Sequence, residues 1–351
     1  MHTTRLIHAL LGAFVLTPVA CRSETPPIPS PPPSVATPWL KGQLHAHTSS
    51  SGDSDTAPAD VLRWYKAHGF DFVVLTDHNV VTAAPSAPGI LAIPGVEITQ
   101  NLRRCDPSPD PGHQCLIHLN ALFVPATAAG PIAVGSEEGA TRTAILDEGL
   151  RAGHHLTGLL QLNHPNFHLA EDASLIRHAA AHGVTLLEIA NEAWDSNNDG
   201  GPDHPSTEEL WNAALDGGAH LFGTATDDAH HYDDASTIDR PFVGDRGYVM
   251  VQAARDPAAI RAAIARGDFY ATNGVLLAAV ERSADAIGAT LADTEREDAE
   301  FVVIGAGGRE RVRRVGRGAR FALADLDSPW VRLEVRRRDG KKAWAQPVWR
   351  P

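Results

Sequence analysis

Short apolar runs alternate with amphipathic segments through the body of the chain, from Leu40 to about Leu277. The apolar runs predict strands at 72–76, 90–98, 116–123, 158–163, 185–190, 221–226 and 248–251. Strands that alternate with helical segments are typical of parallel strands joined by crossover helices. The pattern therefore predicts an α/β fold with one large domain over residues 39–277.

Helix ends support this division. A helical pattern covers 56–69, and the His154-His155 pair is predicted to close another helix. Ser206 with Glu209 three residues later predicts a capping box for a segment that ends at Gly217-Gly218. Asp256-Pro257 predicts the start of a helix that Gly267 terminates. These helices fall between the predicted strands, as crossover helices should.

The pattern changes to alternating strands over 278–351, which predicts a small antiparallel β domain. Residues 330–335 form one predicted strand, Asp339-Gly340 a hairpin turn and 341–349 the return strand. Residues 301–351 hold 13 Lys and Arg against 5 Asp and Glu. Arginines at alternate positions predict a solvated sheet face, and attraction to an anionic membrane or an acidic partner is the alternative.

The first 21 residues have the features of an export signal: Arg5, an apolar run over 6–16, and small residues before Cys21. The run is too short to span a bilayer as a helix. A cysteine in this place resembles a bacterial lipoprotein signal, with Cys21 lipidated; cleavage without lipidation or an uncleaved segment remain open. Residues 22–38, rich in Pro and Ser, predict a tether. The expected location is the periplasmic face of a membrane, the outer membrane above all, or the cell surface.

Export also bears on the two remaining cysteines. In an oxidising compartment, a disulfide between Cys105 and Cys115 is the simplest expectation. Two reduced loop thiols are the alternative. A zinc site at these residues lacks the usual C-x-x-C spacing.

The net charge of the chain indicates which kinds of molecule it is suited to bind. With 43 acidic and 30 basic residues the net charge is -13, which disfavours a dedicated nucleic-acid binder and favours a small-molecule substrate. No obligate protein partner is inferred. The predicted partners are therefore a small molecule and, through the lipid anchor, a membrane.

Nine potential metal ligands recur along the body of the chain, most of them at or just past predicted strand ends: His45, His47, Asp53, His78, Glu97, His118, His164, Asp228 and His230. In a (βα) barrel all strand C-termini open on one face, so such residues gather around one pocket. Only His118 lies early in its run. His45 and His47, two positions apart on a strand end, point to the same side. Imidazole with carboxylate suits Zn²⁺, Mn²⁺ or Fe²⁺, and the pattern predicts two or three such ions.

The same residues lie in motifs that resemble a known family. They are Leu44-His45-Ala46-His47-Thr48, Ser51-Gly52-Asp53, Leu75-Thr76-Asp77-His78-Asn79, Gly95-Val96-Glu97, His118-Leu119-Asn120-Ala121-Leu122, Asn163-His164-Pro165 and Ala225-Thr226-Asp227-Asp228-Ala229-His230. In this order they resemble the PHP metallohydrolase superfamily, more narrowly its carbaryl-hydrolase branch. The resemblance covers 41 to the C-terminus and implies a distorted seven-stranded (βα) barrel with a small C-terminal antiparallel β appendix.

The resemblance also implies a role for each ligand. His45, His47 and Asp228 hold a first ion, and Glu97 bridges it to a second ion held by His118 and His164. Asp53, His78 and His230 hold a third, with Asp53 where some relatives have His. Two adjacent ions would lower the pKa of a shared water and generate hydroxide beside a bound ester.

Other polar residues next to the ligands are candidates for catalysis or substrate binding. Asp77 and Asp227 could orient an imidazole or move a proton, or could cap strand ends. Asn163 and Asn191 could hold a substrate oxygen or a metal-bound water, or serve as turn residues. Arg246 could bind an anionic substrate group. Asp228 and Glu97 complete the predicted catalytic set.

Hydrolysis of a carbamate or carboxyl ester by metal-activated water is the leading functional hypothesis. A phosphomonoesterase or phosphodiesterase on the same site is the alternative, because both use the same nucleophile and a shared fold does not determine the bond that is cut. A lipoprotein that binds metal or an anion without catalysis is the third hypothesis.

Overall fold

The computed structural model describes Met1, residues 37–232 and residues 243–350. The predictions for the signal at 1–21, lipidation of Cys21 and nearly all of the tether lie outside the described residues. Residues Thr37–Pro351 form one compact unit. None of the helices in the described ranges has the length and apolar character needed to cross a membrane.

The strands are β1 Trp39–Gln43, β2 Phe72–Leu75, β3 Val80–Val81, β4 Leu91–Leu102, β5 Cys115–Leu122, β6 Gly130–Pro131, β7 Leu159–Leu162, β8 Val184–Asn191, β9 Phe222–Thr226, β10 Tyr248–Gln252, β11 Phe269–Thr272, β12 Leu277–Arg282, β13 Ala286–Leu291, β14 Ala299–Gly305, β15 Arg309–Gly316, β16 Gly318–Ala322, β17 Trp330–Arg336 and β18 Lys342–Trp349. The α-helices are α1 Pro58–Ala67, α2 Arg142–His155, α3 Ala173–Ala181, α4 Thr207–Asp216 and α5 Pro257–Arg266. Each strand predicted for the body matches one of these to within a few residues, and the result is a mixed α/β fold.

The helix ends follow the sequence signals. Ser206 and Glu209 form the reciprocal capping box at the start of α4. Asp256 accepts hydrogen bonds from the first turn of α5, and Gly267 ends that helix in the left-handed conformation at φ 74°. A left-handed residue at this position favours glycine because a Cβ would be strained there.

Within residues 37–232 and 243–350, thirteen strands form the main sheet, in the order β15-β14-β17-β18-β11-β10-β1-β2-β4-β5-β7-β8-β9. The expectation of a parallel sheet holds only for β1 with β2, β2 with β4, β7 with β8 and β8 with β9. Strand β5 runs antiparallel to both β4 and β7. The segment between β4 and β5 contains no helix, so the chain reverses there instead of crossing over.

Seven consecutive strands of this sheet, β1, β2, β4, β5, β7, β8 and β9, are linked at their outer ends. Just beyond β1 and β9, Ala46 and Ala229 form a parallel bridge. His47 N donates to Ala229 O at 3.0 Å, and Asp228 N donates to His45 O at 3.1 Å. The segments that carry His45, His47 and Asp228 therefore lie side by side.

The interior of these strands is apolar below the linked ends. Side chains from β1, β2, β4, β5, β7 and β8 share one buried cluster, which includes Leu40, Phe72, Ile93, Leu122, Leu159 and Leu186. Gly42 in β1 is required by this packing, because a Cβ there would overlap the Phe72 ring. The polar strand ends are therefore supported by a closely packed apolar core.

The reversal between β4 and β5 contains the expected covalent link. Cys105 and Cys115 form a disulfide with their Cα atoms 6.0 Å apart. It joins the loop to the first residue of β5 and so restrains the connection between two strands that carry predicted ligands.

The C-terminal strands extend the main sheet, because β18 pairs with β11, and β12, β13 and β16 form a smaller sheet. Several arginines of β15 are exposed, as the alternating pattern predicts. For Arg332 that prediction is wrong. Its side chain is buried, pairs with Glu208 at 3.0 Å and Glu334 at 3.3 Å, and donates to Asn212. Strand β17 faces α4 here, so a buried cation with several acceptors joins the C-terminal strands to the body.

Candidate metal centre

The nine predicted ligands come from six places in the sheet and one loop. His45 and His47 follow β1, His78 follows β2, His164 follows β7, and Asp228 with His230 follows β9. Glu97 and His118 lie within β4 and β5, and Asp53 lies in the loop before α1. Donor atoms from eight of these residues form three groups whose members lie within 4.8 Å of one another.

The first group joins His45, His47 and Asp228. The Asp228 Oδ1 atom is 3.2 Å from His45 Nε2 and 3.0 Å from His47 Nε2. Two imidazole nitrogens and one carboxylate oxygen at this spacing can share one cation, as the family resemblance implies.

The second group joins His45, Glu97 and His164. Glu97 Oε1 lies 3.4 Å from His45 Nε2 and 3.3 Å from His164 Nε2. His118 is outside the group of three, but its Nδ1 is 3.1 Å from the same oxygen and its Nε2 is 2.7 Å from Asn101 Oδ1. It therefore borders the position that the resemblance assigns to it.

The antiparallel direction of β5 explains why His118 appears early in its apolar run. The first residues of β5 lie beside the last residues of its neighbours: His118 pairs with Thr99 of β4, and its carbonyl accepts from Asn163 N after β7 at 3.1 Å. In a parallel strand the same residue would lie at the opposite end.

The third group contains His47 in addition to the predicted Asp53, His78 and His230. Asp53 Oδ2 is 2.9 Å from His78 Nε2 and 3.4 Å from His230 Nε2. The His47 ring stacks on His230 with 4.1 Å between centroids. His47 thus lies in the first group, as the resemblance implies, and also within reach of the third.

Glu97 connects the groups. Its Oε1 atom faces the second group, while its Oε2 atom is 2.6 Å from His78 Nδ1 and 3.8 Å from His47 Nε2. This is the position expected of a carboxylate that bridges two cations.

The state of the His45 ring tests whether a cation fits. His45 Nδ1 is 2.7 Å from Glu188 Oε1, so this nitrogen donates its proton there, and Nε2 faces Glu97 and Asp228. That buried Nε2 atom has no hydrogen-bond partner among the described residues. Burial lowers the pKa of His45, but Asp228, Glu188 and Glu97 outweigh burial and raise the pKa well above its usual range, so Nε2 holds a proton whose place a divalent ion would take. The donor set therefore fits Zn²⁺, Mn²⁺ or Fe²⁺.

The protonation of the other ligands is consistent with this. Burial raises the pKa of Glu97, but His118, His78 and His45 outweigh burial and hold it well below its usual range. Burial also raises the pKa of Asp228, and His45 and His47 overcome that effect. Both groups are therefore carboxylates at neutral pH.

Two imidazoles of the third group, His47 and His78, have pKa values shifted in opposite directions. Burial, reinforced by His230 and His78, lowers the pKa of His47 to about 3. Burial also lowers the pKa of His78, but Glu97 and Asp53 outweigh it and raise the pKa to about 10. A cation that binds His78 must therefore displace a proton at neutral pH.

Glu188 is the functional residue that sequence reasoning missed. Besides contacting His45, its carboxylate accepts hydrogen bonds from Gln161, Thr226, Asn191 and the backbone N of His164, at 2.8 to 3.1 Å. A carboxylate that fixes the tautomer and direction of a ligating imidazole is a general feature of metal sites. The sequence signal that could have identified it is a glutamate inside the apolar run predicted as a strand at 185–190. The structure shows that this glutamate is buried.

Asp77 and Asp227 accept hydrogen bonds from neighbouring loops, an arrangement that favours the capping alternative over a catalytic role. Asp77 accepts from the backbone and hydroxyl of Thr48 at 2.6 and 2.9 Å and from the Thr82 hydroxyl. Asp227 accepts from three consecutive backbone N–H groups, at 245–247, and from the Tyr65 hydroxyl. Both carboxylates hold loops at strand ends, which is the capping alternative.

The three residues predicted to bind substrate also contact other protein groups instead of facing the cavity. Asn163 Nδ2 donates to Glu97 Oε1 at 3.0 Å, and Asn191 Nδ2 donates to Asp228 Oδ2 at 3.1 Å. Both amides are buried and orient ligands. Arg246 contributes its backbone N–H to Asp227. None of the three lines the cavity over the donor groups.

That cavity has a volume of about 220 Å³. Seven predicted ligands form its floor, and the apolar side chains Leu116, Phe167 and Ala193 and the polar side chains Asn101, Asp195 and Ser196 form its walls. Within the described ranges, no lysine or arginine lines it. An apolar wall beside a metal-competent floor suits a small ligand with an uncharged group.

Comparisons with known proteins find only remote similarity. No family model matches the chain, and no curated protein matches it. A two-domain protein from Bacteroides vulgatus containing a predicted PHP-like metal-dependent phosphoesterase is 15% identical, with a TM-score of 0.46, over 88% of this chain and 95% of that one. An amidohydrolase from Chromobacterium violaceum, solved with bound sulfate and no metal, is 15% identical, with a TM-score of 0.35, over 57% of this chain and 93% of that one. Likenesses at this level assign no function.

Proposed function

We propose that this protein is a hydrolase that depends on two or three divalent metal ions. The observation that carries the proposal is the set of three adjacent donor groups that meet at Glu97, with a buried, unpartnered Nε2 on His45. The motif order and the linked seven strands support the distorted barrel of the PHP superfamily and its carbaryl-hydrolase branch as the relevant family.

Bound ions would supply Lewis acidity and lower the pKa of a water molecule enough for it to act as a nucleophile near neutral pH. The chain supplies the positions. His45, His47 and Asp228 would bind one ion, Glu97 would lie between it and the next, and Glu188 holds His45 in the tautomer suited to binding. Asn163 and Asn191 orient the two carboxylates.

The bond we propose is a carbamate or carboxyl ester. The cavity walls support this, because they contain the apolar side chains Leu116, Phe167 and Ala193 and no lysine or arginine among the described residues. A phosphate dianion would find no cationic side chain there to neutralise it. Three adjacent cation positions could supply that positive charge instead, and this is the observation that favours a phosphoester as the second candidate.

Metal analysis combined with hydrolysis assays tests the proposal. A soluble protein starting at Thr37, loaded with Zn²⁺, Mn²⁺ or Fe²⁺, should hydrolyse naphthyl carbamate or nitrophenyl acetate faster than nitrophenyl phosphate and bis-nitrophenyl phosphate. The reverse preference would favour the phosphoesterase. No turnover with any metal would favour a non-catalytic protein that binds metal or an anion.

Two variants locate the activity. His45→Ala should abolish turnover, because it removes a ligand from two groups. His178→Ala is the matched control, since His178 pairs with Asp147 on the surface of the molecule. Normal hydrolysis by the His45 variant would place the activity elsewhere.

We also propose that the protein is exported and tethered to a membrane through lipidated Cys21, with a small-molecule ester as its substrate. The signal-like segment at 1–21 and the Pro-rich tether support this location. Cells that express the full chain should incorporate labelled palmitate, and Cys21→Ser should not. Equal labelling of the two would contradict the anchor.

A further inference from the structure

One carboxylate in the cavity has no hydrogen bond or ion pair to an imidazole among the described residues. Asp53, Glu97 and Asp228 each lie within 3.4 Å of at least one histidine nitrogen. Asp195 lines the same cavity, but its side chain makes no hydrogen bond or ion pair with another residue in the described part of the chain. It is therefore available to a ligand in the cavity.

The loop that carries Asp195 is fixed relative to the donor groups. Ser196 Oγ donates to the carbonyls of Asn191 and Ala193 at 2.5 and 2.7 Å, and Ala193 N donates to Asn191 Oδ1 at 3.0 Å. The same Asn191 side chain donates to Asp228. A short hydrogen-bonded path thus holds Asp195 in the cavity wall.

The position of Asp195 suits proton exchange with a ligand. The side chain is half-buried in a wall that also contains Ala193 and Phe167. Burial raises the pKa of Asp195 and the negative charge of Asp228 raises it further, while its own backbone N–H, His164 and His168 lower it, and the net shift is upward. A carboxylic acid in such a position can donate a proton to a bound ligand.

We propose that Asp195 is the proton donor to the leaving-group oxygen, and that the substrates include esters or carbamates with a basic, alkoxide-type leaving group. This rests on the proposed hydrolysis. The water oxygen bonds to the acyl carbon, the bond from that carbon to the leaving oxygen breaks, and its electron pair stays on that oxygen. The leaving oxygen takes the Asp195 proton, and the carboxylate regains a proton from the attacking water.

The test is the dependence of rate on the leaving group. Asp195→Asn should be assayed on ethyl and 4-nitrophenyl esters of one acyl group. Nitrophenolate departs without a proton, so its kcat should change less than about threefold, whereas kcat for the ethyl ester should fall by about 10²-fold or more. Asp195→Glu should recover part of the ethyl ester activity. Asp199→Asn, in the same loop but exposed, is the matched control and should leave both rates unchanged.

The outcomes separate this proposal from the function on which it rests. Equal losses on both esters would indicate a structural role and overturn the inference alone. Unchanged rates on both would overturn it too. No turnover of either ester by the wild-type protein would overturn the proposed hydrolysis and this inference with it. Equal metal content in wild type and variants, measured beside the rates, excludes loss of metal as the cause.

Discussion

Replacing Glu188 by Gln should weaken metal binding although Glu188 is not predicted to touch metal. Its carboxylate accepts five hydrogen bonds, from His45, Gln161, Thr226, His164 and Asn191. Gln has nearly the same volume, but one of its two terminal atoms is an NH₂ donor. Either orientation of the amide sets that donor against at least two donors of the protein.

The orientation that places NH₂ toward His45 has the larger effect on the metal site. His45 Nδ1 would then accept a hydrogen bond, and its proton would move to Nε2, the atom that faces Glu97 and Asp228. A protonated Nε2 cannot bind a cation. Loss of such orienting partners typically reduces metal affinity 10- to 100-fold, which is about 1.4 to 2.8 kcal/mol.

Competition with a chelator measures this affinity, and denaturant unfolding of the metal-free protein measures stability separately. Glu334→Gln is the matched control: it alters a buried glutamate that also accepts from several donors, but in β17, outside the three donor groups. That variant should lose stability and keep its metal affinity. Unchanged affinity in Glu188→Gln would refute the tautomer argument.

Three further perturbations have defined outcomes. His230→Ala should remove one ion per chain and leave the others, as metal analysis by mass spectrometry would show; loss of every ion would contradict separate donor groups. Arg332→Ala should lower the unfolding free energy by about 1 to 3 kcal/mol, because it removes the donor to the buried Asn212 Oδ1 while Arg336 and Lys342 still pair with Glu334, and metal content should stay constant. A Cys105→Ser, Cys115→Ser double variant should lose about 2 to 3 kcal/mol in denaturant titration, since the bridge closes a loop of only 10 residues; no loss would show that the bridge does not restrain the unfolded chain.

Structural features that depend on residues close together in the chain were predicted well. The strand positions in the body and the caps at Ser206, Asp256 and Gly267 follow from neighbouring residues, because hydrophobic periodicity and cap hydrogen bonds act over a few positions. The two-residue spacing of His45 and His47 was also sufficient to predict that both side chains point to the same side. Even the missed Glu188 had a local signal, since a glutamate inside an apolar strand must find partners.

The direction of β5 could not be predicted in this way. Its apolar run is compatible with either direction, and only pairing with β4 and β7 decided it. The reversal in turn decided that His118 lies at the polar end of the strands. Arg332 is a similar case, because its burial depends on α4, which precedes it by more than 100 residues.

The sequence by itself determined which side chains could bind metal, the approximate positions of most strands of the body, and the helix caps at Ser206, Asp256 and Gly267. The tertiary structure alone decided which donors share a group, that Asp77, Asp227, Asn163 and Asn191 hold loops or ligands, and that Asp195 faces the cavity. The physical reason is range: propensity and periodicity act between neighbours in the chain, whereas coordination and cavity walls depend on distances between segments that only folding brings together.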